Sequence, residues 1–253
     1  MRVAFPWTLS SLLALLLFLG GCGIFAQRPE PIPPAAELYE KGEFELNRRR
    51  YEDARTHFKR IVERHPESSL APRARFLMGE AFYREGEFNK AIKEFEAFMS
   101  FYPRHMIADL VQYRLAMSYY DQMKPVEQDQ GLTQKALEQF KRLVKEYPES
   151  RYAPDALAKI EIGRGRLAQK ELWVAHYYYN QGNLGAVRQR LEVILKDFPR
   201  TLVVPETLFL LAEVDSQEGL VDKARETFRR LGEEYPYTEW GRRAAQRLST
   251  AQR

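Results

Sequence analysis

Apolar residues along this chain recur at helical spacing in short runs, and the runs themselves recur. In Ala54-Arg-Thr-His-Phe58-Lys-Arg-Ile61-Val62-Glu-Arg-His65-Pro66 an alanine stands twelve residues before a proline and a phenylalanine eight before it. Ala91, Phe95 and Pro103 keep that spacing, as do Ala136, Phe140 and Pro148, and Ala224, Phe228 and Pro236. Val187, Leu191 and Pro199 keep it with two conservative replacements. Five copies of one unit mean a repeat architecture, and this has to be settled before any other fold argument.

The unit over 67–103 shows a whole helical hairpin. Ser68 is a candidate cap for its first helix, with Pro72 in the first turn, where a missing N–H costs little. Phe76, Met78, Gly79, Phe82 and Tyr83 follow at helical spacing, and Gly86 ends the helix. Phe88 opens the second helix, which carries Ala91, Phe95, Phe98 and Met99. Gly79 and Ala91 are expected where the two helices cross, since larger side chains would push the axes apart. Gly42, Ala116, Ala175 and Ala212 take the Gly79 role elsewhere. Ser150, Thr201 and Thr238 stand where Ser68 does, two residues after their prolines, and are expected to cap the helices that follow. His105 breaks that series, so a ragged start is expected for the third unit's first helix.

The order of small, small, aromatic and proline resembles the tetratricopeptide repeat, a pair of antiparallel helices about 34 residues long. The resemblance implies an all-α solenoid of five repeats. Here the repeat prolines are separated by 37, 45, 51 and 37 residues. The 45-residue interval places its excess near 121–131, where Pro125 and Gly131 predict a loop. The 51-residue interval has no breaker beyond Gly163 and Gly165, each weakening a helix by about 1 kcal/mol. One helix of 28 residues is therefore expected from Ala153 to Asn180, roughly 42 Å long at 1.5 Å per residue. Its apolar set is Leu157, Ile160, Leu167, Leu172, Val174, Ala175 and Tyr178. It is expected to divide residues 35–148, holding three repeats, from 149–253, holding the long helix, two repeats and a closing helix. Trp240, Ala244, Ala245 and Leu248 mark that C-terminal capping helix over 238–251, which covers the last apolar surface of the solenoid.

Composition adds little beyond this. The chain has 253 residues, 45% hydrophobic, enough for a large core. Its net charge of +4 is mild, with both signs interleaved. Arg48-Arg49-Arg50, the one tight basic run, reads as a solvated turn between helices, and no nucleic-acid partner is expected. A single cysteine, Cys22, excludes a disulfide framework and a Cys-based zinc site.

The N-terminus reads as an address. Arg2 and the eight apolar residues from Leu12 to Leu19 predict a signal peptide over 1–21, too short to span roughly 30 Å of hydrocarbon. Leu19-Gly20-Gly21-Cys22 resembles the bacterial lipobox. That resemblance implies cleavage before Cys22, a diacylglyceryl thioether on its sulfur and an N-acyl chain such as palmitate. Several acyl chains make a lasting anchor where one makes a reversible one. Gly23, rather than an aspartate, points to the periplasmic face of the outer membrane. Pro29, Pro31, Pro33 and Pro34 predict an extended tether over 22–34, reaching up to roughly 35–40 Å at about 3.1 Å per residue.

No catalytic constellation is present. His57, His65, His105 and His176 are scattered without metal-ligand spacing, and there is no nucleophile elbow or phosphate-cradling loop. Neither a cofactor, a metal site nor an enzyme is expected. Stacked hairpins instead make a groove lined by the first helix of each unit, suited to an extended peptide. Tyr39, Phe82, Tyr83, Tyr119 and Tyr120 are candidates for that lining, with packing between repeats as the competing role; Tyr83 and Tyr120 stand best placed. Tyr177, Tyr178 and Tyr179 cannot all be buried on one helix face.

Lipobox, Pro-rich tether, five repeats and a stretched fourth unit together resemble the BamD family, the lipoprotein subunit of the outer-membrane β-barrel assembly machinery. The likeness runs over about 35–250. It is sharpest in Leu167-Ala168-Gln-Lys-Glu171-Leu-Trp-Val174-Ala175-His-Tyr177-Tyr178 and Val187-Arg-Gln-Arg190-Leu191. It implies that the C-terminal half docks on the periplasmic domains of the barrel subunit BamA. It also implies that the N-terminal groove receives the C-terminal signal of unfolded outer-membrane proteins, and that other assembly-machinery lipoproteins bind. Arg190 stands where the family places an arginine linked to BamA docking, and Tyr178 in the matching motif is grouped with it. A pilotin-like lipoprotein for secretin or pilus assembly is the alternative, with regular 34-residue periods expected instead of a long helix. Another periplasmic repeat adaptor would carry an N-terminal coiled coil, and 23–50 has no heptads.

Overall fold

A computed structural model describes residues 32–250; the signal-peptide segment, Cys22 and the tether as far as Pro31 lie outside the described residues. The described residues from Ala35 onward form one compact unit. Among the described residues there are eleven helices and no strand. Five hairpins follow one another: α1 (Ala35–Asn47) with α2 (Tyr51–Arg64), α3 (Ala71–Glu85) with α4 (Phe88–Phe101), and α5 (Ala108–Tyr120) with α6 (Gly131–Glu146). Then come α7 (Ala153–Asn180) with α8 (Leu184–Asp197), α9 (Val204–Gln217) with α10 (Val221–Glu234), and the closing α11 (Glu239–Thr250). Each helix packs on the next in sequence. The fold is an all-α tetratricopeptide-repeat solenoid of five repeats with a C-terminal capping helix.

The small residues sit at the crossings for the reason anticipated. A Cβ on Gly79 would lie 2.5 Å from Phe95 Cε1, and one on Gly42 would lie 2.5 Å from Phe58 Cε1. Ala116, Ala175 and Ala212 are fully buried in the same role. Phe58, Phe95 and Phe140 lie fully buried beyond the crossings. Burial of one such ring contributes about 1.5–3 kcal/mol.

Helix starts differ from expectation in three units. The helices begin at Ala71, Ala153 and Val204, and Leu70, Tyr152 and Val203 precede them without any side-chain cap. Ser68 and Ser150 instead fold the turn before the helix, accepting from the N–H two residues on, Leu70 and Tyr152, at 3.2 Å each. Thr201 donates to Phe198 O. Only Thr238 caps, accepting from Gly241 N at 3.0 Å. His105 does not fray its helix. Its Nδ1 accepts from Ile107 N at 3.3 Å, the bond the serines make. An imidazole here supplies the acceptor that a serine hydroxyl supplies after Pro66 and Pro148.

Between first and second helices the chain reverses through left-handed residues: Gly86 at φ 83°, Gly182 at 71° and Gly219 at 78°. Arg49 takes that conformation at 61° within the exposed 48–50 turn. The 121–130 loop is folded around Gln130, whose Nε2 donates to Pro125 O at 2.7 Å and Gln128 O at 3.2 Å, while its Oε1 accepts from Thr133.

The long helix is continuous over Ala153–Asn180, 28 residues, but has two packing sections. Ala156 and Ile160 pack with Leu137, Phe140 and Leu143 of α6. Ala168, Leu172 and Ala175 pack with Val187, Leu191 and Ile194 of α8. Leu157, placed in the apolar set from its spacing, is 52% exposed. It shares a helix face with Ala175, five turns away, yet α8 ends beside Arg164, whose guanidinium donates to Asp197 O at 2.7 Å. Leu157 therefore hangs beyond its partner. Ala245 is likewise exposed, because α11 buries only the narrow stripe of Gly241 and Ala244.

Candidate functional site

At 3.6 residues per turn, a residue four after the crossing point lies about 40° to one side of it, and a residue three after lies about 60° to the other. Both flanks touch second helices, but only the first also reaches the next first helix. Tyr83, four after Gly79, turns toward the next first helix: its hydroxyl donates to Asp121 Oδ2, and the Arg114 guanidinium lies 5.1 Å from its ring centroid. Burial, then the Asp121 carboxylate, push its phenol well above the usual range. Beside it the buried Glu80 accepts from Arg84 Nε at 2.9 Å, and Arg114 Nε makes a charge contact with it at 3.0 Å. Tyr120, four after Ala116, meets Phe140 edge-on at 6.0 Å and holds Lys159 Nζ 4.7 Å from its centroid. Tyr39 packs on Phe58 at 5.9 Å, with its phenol pushed up by burial and by Glu43.

The opposite flank faces the second helices. Phe82 lies between Arg55 of α2, 4.2 Å from its centroid, and Lys90 of α4 at 5.7 Å. Tyr119 donates to Glu96 Oε1 at 3.3 Å and lies 5.7 Å from Lys135 Nζ of α6. Of the five candidate groove residues, Tyr83 and Tyr120 thus share the first-helix face, each bridging a second-helix ring, Phe88 or Phe140, to the next first helix, whereas Phe82 and Tyr119 meet second-helix residues of two units. One residue on the first-helix face was missed. Tyr113 donates to Asp155 Oδ2 at 2.7 Å and stacks on Tyr152 at 4.8 Å. Burial and the Asp155 bond push its phenol up to about 12. The available signal was its place three before Ala116, the place of Tyr39 before Gly42.

In the last repeats the same face holds a cavity of about 500 Å³ lined by His176, Tyr179, Glu206, Phe209, Trp240 and Arg243, among others. His176 Nε2 lies 2.8 Å from Glu206 Oε1. Arg243 covers both Trp240 and Phe209, at 4.8 and 5.4 Å from their centroids. On the α7–α8 pair, Arg190 donates through NH1 to Glu171 Oε2 at 3.1 Å, with its side chain 42% exposed. Tyr178 is half-buried against the core of the last repeats. Its neighbour Tyr177 is 53% exposed, so the three tyrosines do divide between core and solvent. Among the described residues no group of three or more His, Cys, Asp or Glu could hold a metal ion, and no helix is long and apolar enough to cross a membrane.

A family model described as an outer membrane lipoprotein, YfiO, matches residues 32–231. The chain belongs to the YfiO family. Relatives carry the name outer membrane protein assembly factor BamD. The one from Rickettsia prowazekii is 28% identical over 232 residues, covering 92% of each chain. The one from Caulobacter vibrioides is 30% identical over 225 residues, covering 88% of this chain and 74% of the relative. Among solved structures, the TPR2AB domain of yeast Sti1 is 14% identical with a TM-score of 0.46, covering 86% of this chain and 83% of that one. That likeness is too distant to add weight; the repeat fold rests on the hairpins themselves.

Proposed function

We propose that this chain is a scaffold of the outer-membrane β-barrel assembly machinery, acting through protein-binding surfaces and not through chemistry. The observation that carries this reading is family membership across 32–231, together with relatives named as outer membrane protein assembly factors, two of which are matched over 92% and 74% of their length. A lipidated Cys22 anchors it to the periplasmic face of the outer membrane, and the Pro-rich segment through Pro34 spaces the repeats from the lipid.

The C-terminal half, with Arg190 and Tyr178, docks on the periplasmic domains of BamA. Arg190 supports this because one edge of its guanidinium is already held by Glu171 while much of the side chain remains exposed. A guanidinium held on one edge can offer the other to a partner carboxylate. The first-helix face of the N-terminal repeats receives an extended segment of an unfolded outer-membrane protein. Tyr39, Tyr83 and Tyr120, joined by Tyr113, supply ring edges there, and the Glu80–Arg114 pair supplies fixed charge. Phe82 and Tyr119 stiffen that face from behind.

The test is a pull-down from detergent-solubilised envelopes with the full chain as bait. BamA in the eluate, lost at the level of membrane fractionation when Cys22→Ala frees the chain, is the expected result. Absence of BamA, with a single secretin recovered in its place, sinks the reading in favour of a pilotin.

A further inference from the structure

The long helix changes partners midway. Gly163 is its last buried residue against α6, and Ala168 its first against α8. Residues 164–167 between them are only half-buried; of the four, Leu167 alone packs on an apolar core, that of the third repeat, and Arg164 reaches Asp197 O of α8. Two glycines stand there, for different reasons. A Cβ on Gly163 would lie 2.8 Å from Leu137 Cδ2, so close approach of α6 requires it. A Cβ on Gly165 would meet nothing within 4 Å, and no left-handed φ calls for glycine there. Gly165 loosens the helix through its backbone freedom without gaining any contact.

The other contacts at the handover are polar and solvent-exposed. Arg166 NH1 donates to Lys124 O at 2.8 Å, and Lys170 Nζ to Glu127 O at 3.0 Å. Both acceptors lie on the inserted loop, which Gln130 keeps folded. Water can replace bonds of this kind at small cost. Room to move is present, since a recess of about 440 Å³ opens over Gly165 between Ile162 and Leu202, the latter 98% exposed.

We propose that Gly165 is a pivot within α7 and that the 121–130 loop is the brace that sets its angle. Residues 35–163 and 168–250 then move as two bodies, and the brace limits the swing. Tightly packed repeats cannot bend between hairpins without opening a core, whereas at the handover only the half-buried Leu167 has to shift on one.

Spin-label distance measurements test this in the full chain carrying Cys22→Ser, where introduced cysteines are the sole thiols. Labels at Glu63→Cys and Arg229→Cys span the pivot; labels at Glu63→Cys and Lys141→Cys lie on one side of it. The spanning distribution should be roughly twofold broader than the one-sided distribution. Gly165→Ala, whose methyl enters open space, should narrow it to the one-sided width, and Arg166→Ala with Lys170→Ala should broaden or shift it. Helical circular dichroism and melting confirm that each variant is folded. A spanning distribution as narrow as the one-sided one overturns the pivot, as does one that Gly165→Ala leaves broad. A brace variant with the parent's distribution overturns the brace.

Discussion

Asp215, three residues after the crossing alanine Ala212, is held by Arg188, which stands one residue after Val187 in the preceding second helix; Arg188 NH2 donates to Asp215 Oδ1 at 2.7 Å. The Asp215 side chain has no exposed surface, and Lys223 Nζ lies 3.8 Å from the same oxygen. Phe82 occupies the equivalent place between Arg55 and Lys90. The solenoid thus uses one inter-repeat slot twice, with an aromatic ring between cations in the second unit and a carboxylate between them in the fifth.

Breaking the Arg188–Asp215 pair is expected to cost most from the cation's side. Arg188→Ala leaves a fully buried carboxylate with only a distant lysine, a loss of about 3–5 kcal/mol. Asp215→Ala leaves Arg188 its bond to Glu218 and should cost less. Arg188→Lys should not restore stability, since one ammonium cannot reproduce a guanidinium held by two carboxylates. Urea unfolding of the three variants checks the order.

Two glycine-to-alanine changes in first helices should have opposite signs. Gly79→Ala drives a methyl into the fully buried Phe95 ring and should destabilise by about 1–3 kcal/mol. Gly165→Ala adds a methyl in open space and should stabilise by roughly 0.5–1 kcal/mol. Thermal melts of both decide it.

Alkaline pH should weaken the repeats through their tyrosines. Burial pushes Tyr113 and Tyr119 up to about 12, helped by Asp155 for the first and Glu96 for the second. A phenol whose folded value lies above its unfolded value of about 10 favours folding while protonated. That stabilisation is complete below pH about 10 and fades as pH rises to about 12. Tyr113→Phe should flatten part of this limb. Urea midpoints across the alkaline range, read against tyrosinate absorbance, test it.

Arg190→Glu should weaken binding to BamA periplasmic domains at least tenfold, about 1.4 kcal/mol, with helical circular dichroism unchanged. The reversal sets a second carboxylate against Glu171 and removes the fork offered to the partner. Equal binding by both proteins, measured by calorimetry, removes Arg190 from the docking surface.

Much of the molecule follows from local pattern. Ala, Phe and Pro at fixed spacing specify the hairpins, because small residues must meet at crossings and a ring must fill the space beyond. Those demands act within one hairpin, so they are written within 37 residues of sequence. The bounds of α7 could be read for the same reason: nothing from Ala153 to Asn180 breaks a helix outright.

Tertiary structure decided which flank each side chain takes and what waits there. Tyr119 and Tyr120 are adjacent in sequence, yet one meets Glu96 and Lys135 of two second helices and the other Phe140 of one second helix and Lys159 of the next first helix. Gly163 and Gly165 are likewise indistinguishable by composition; only the position of Leu137 separates a glycine that packing requires from one with open space beside it. Periodicity reports the angle of a residue around its own helix. Where the neighbouring helix ends, as α8 does beside Arg164 and short of Leu157, is set by the packing of other repeats, and no local pattern carries it.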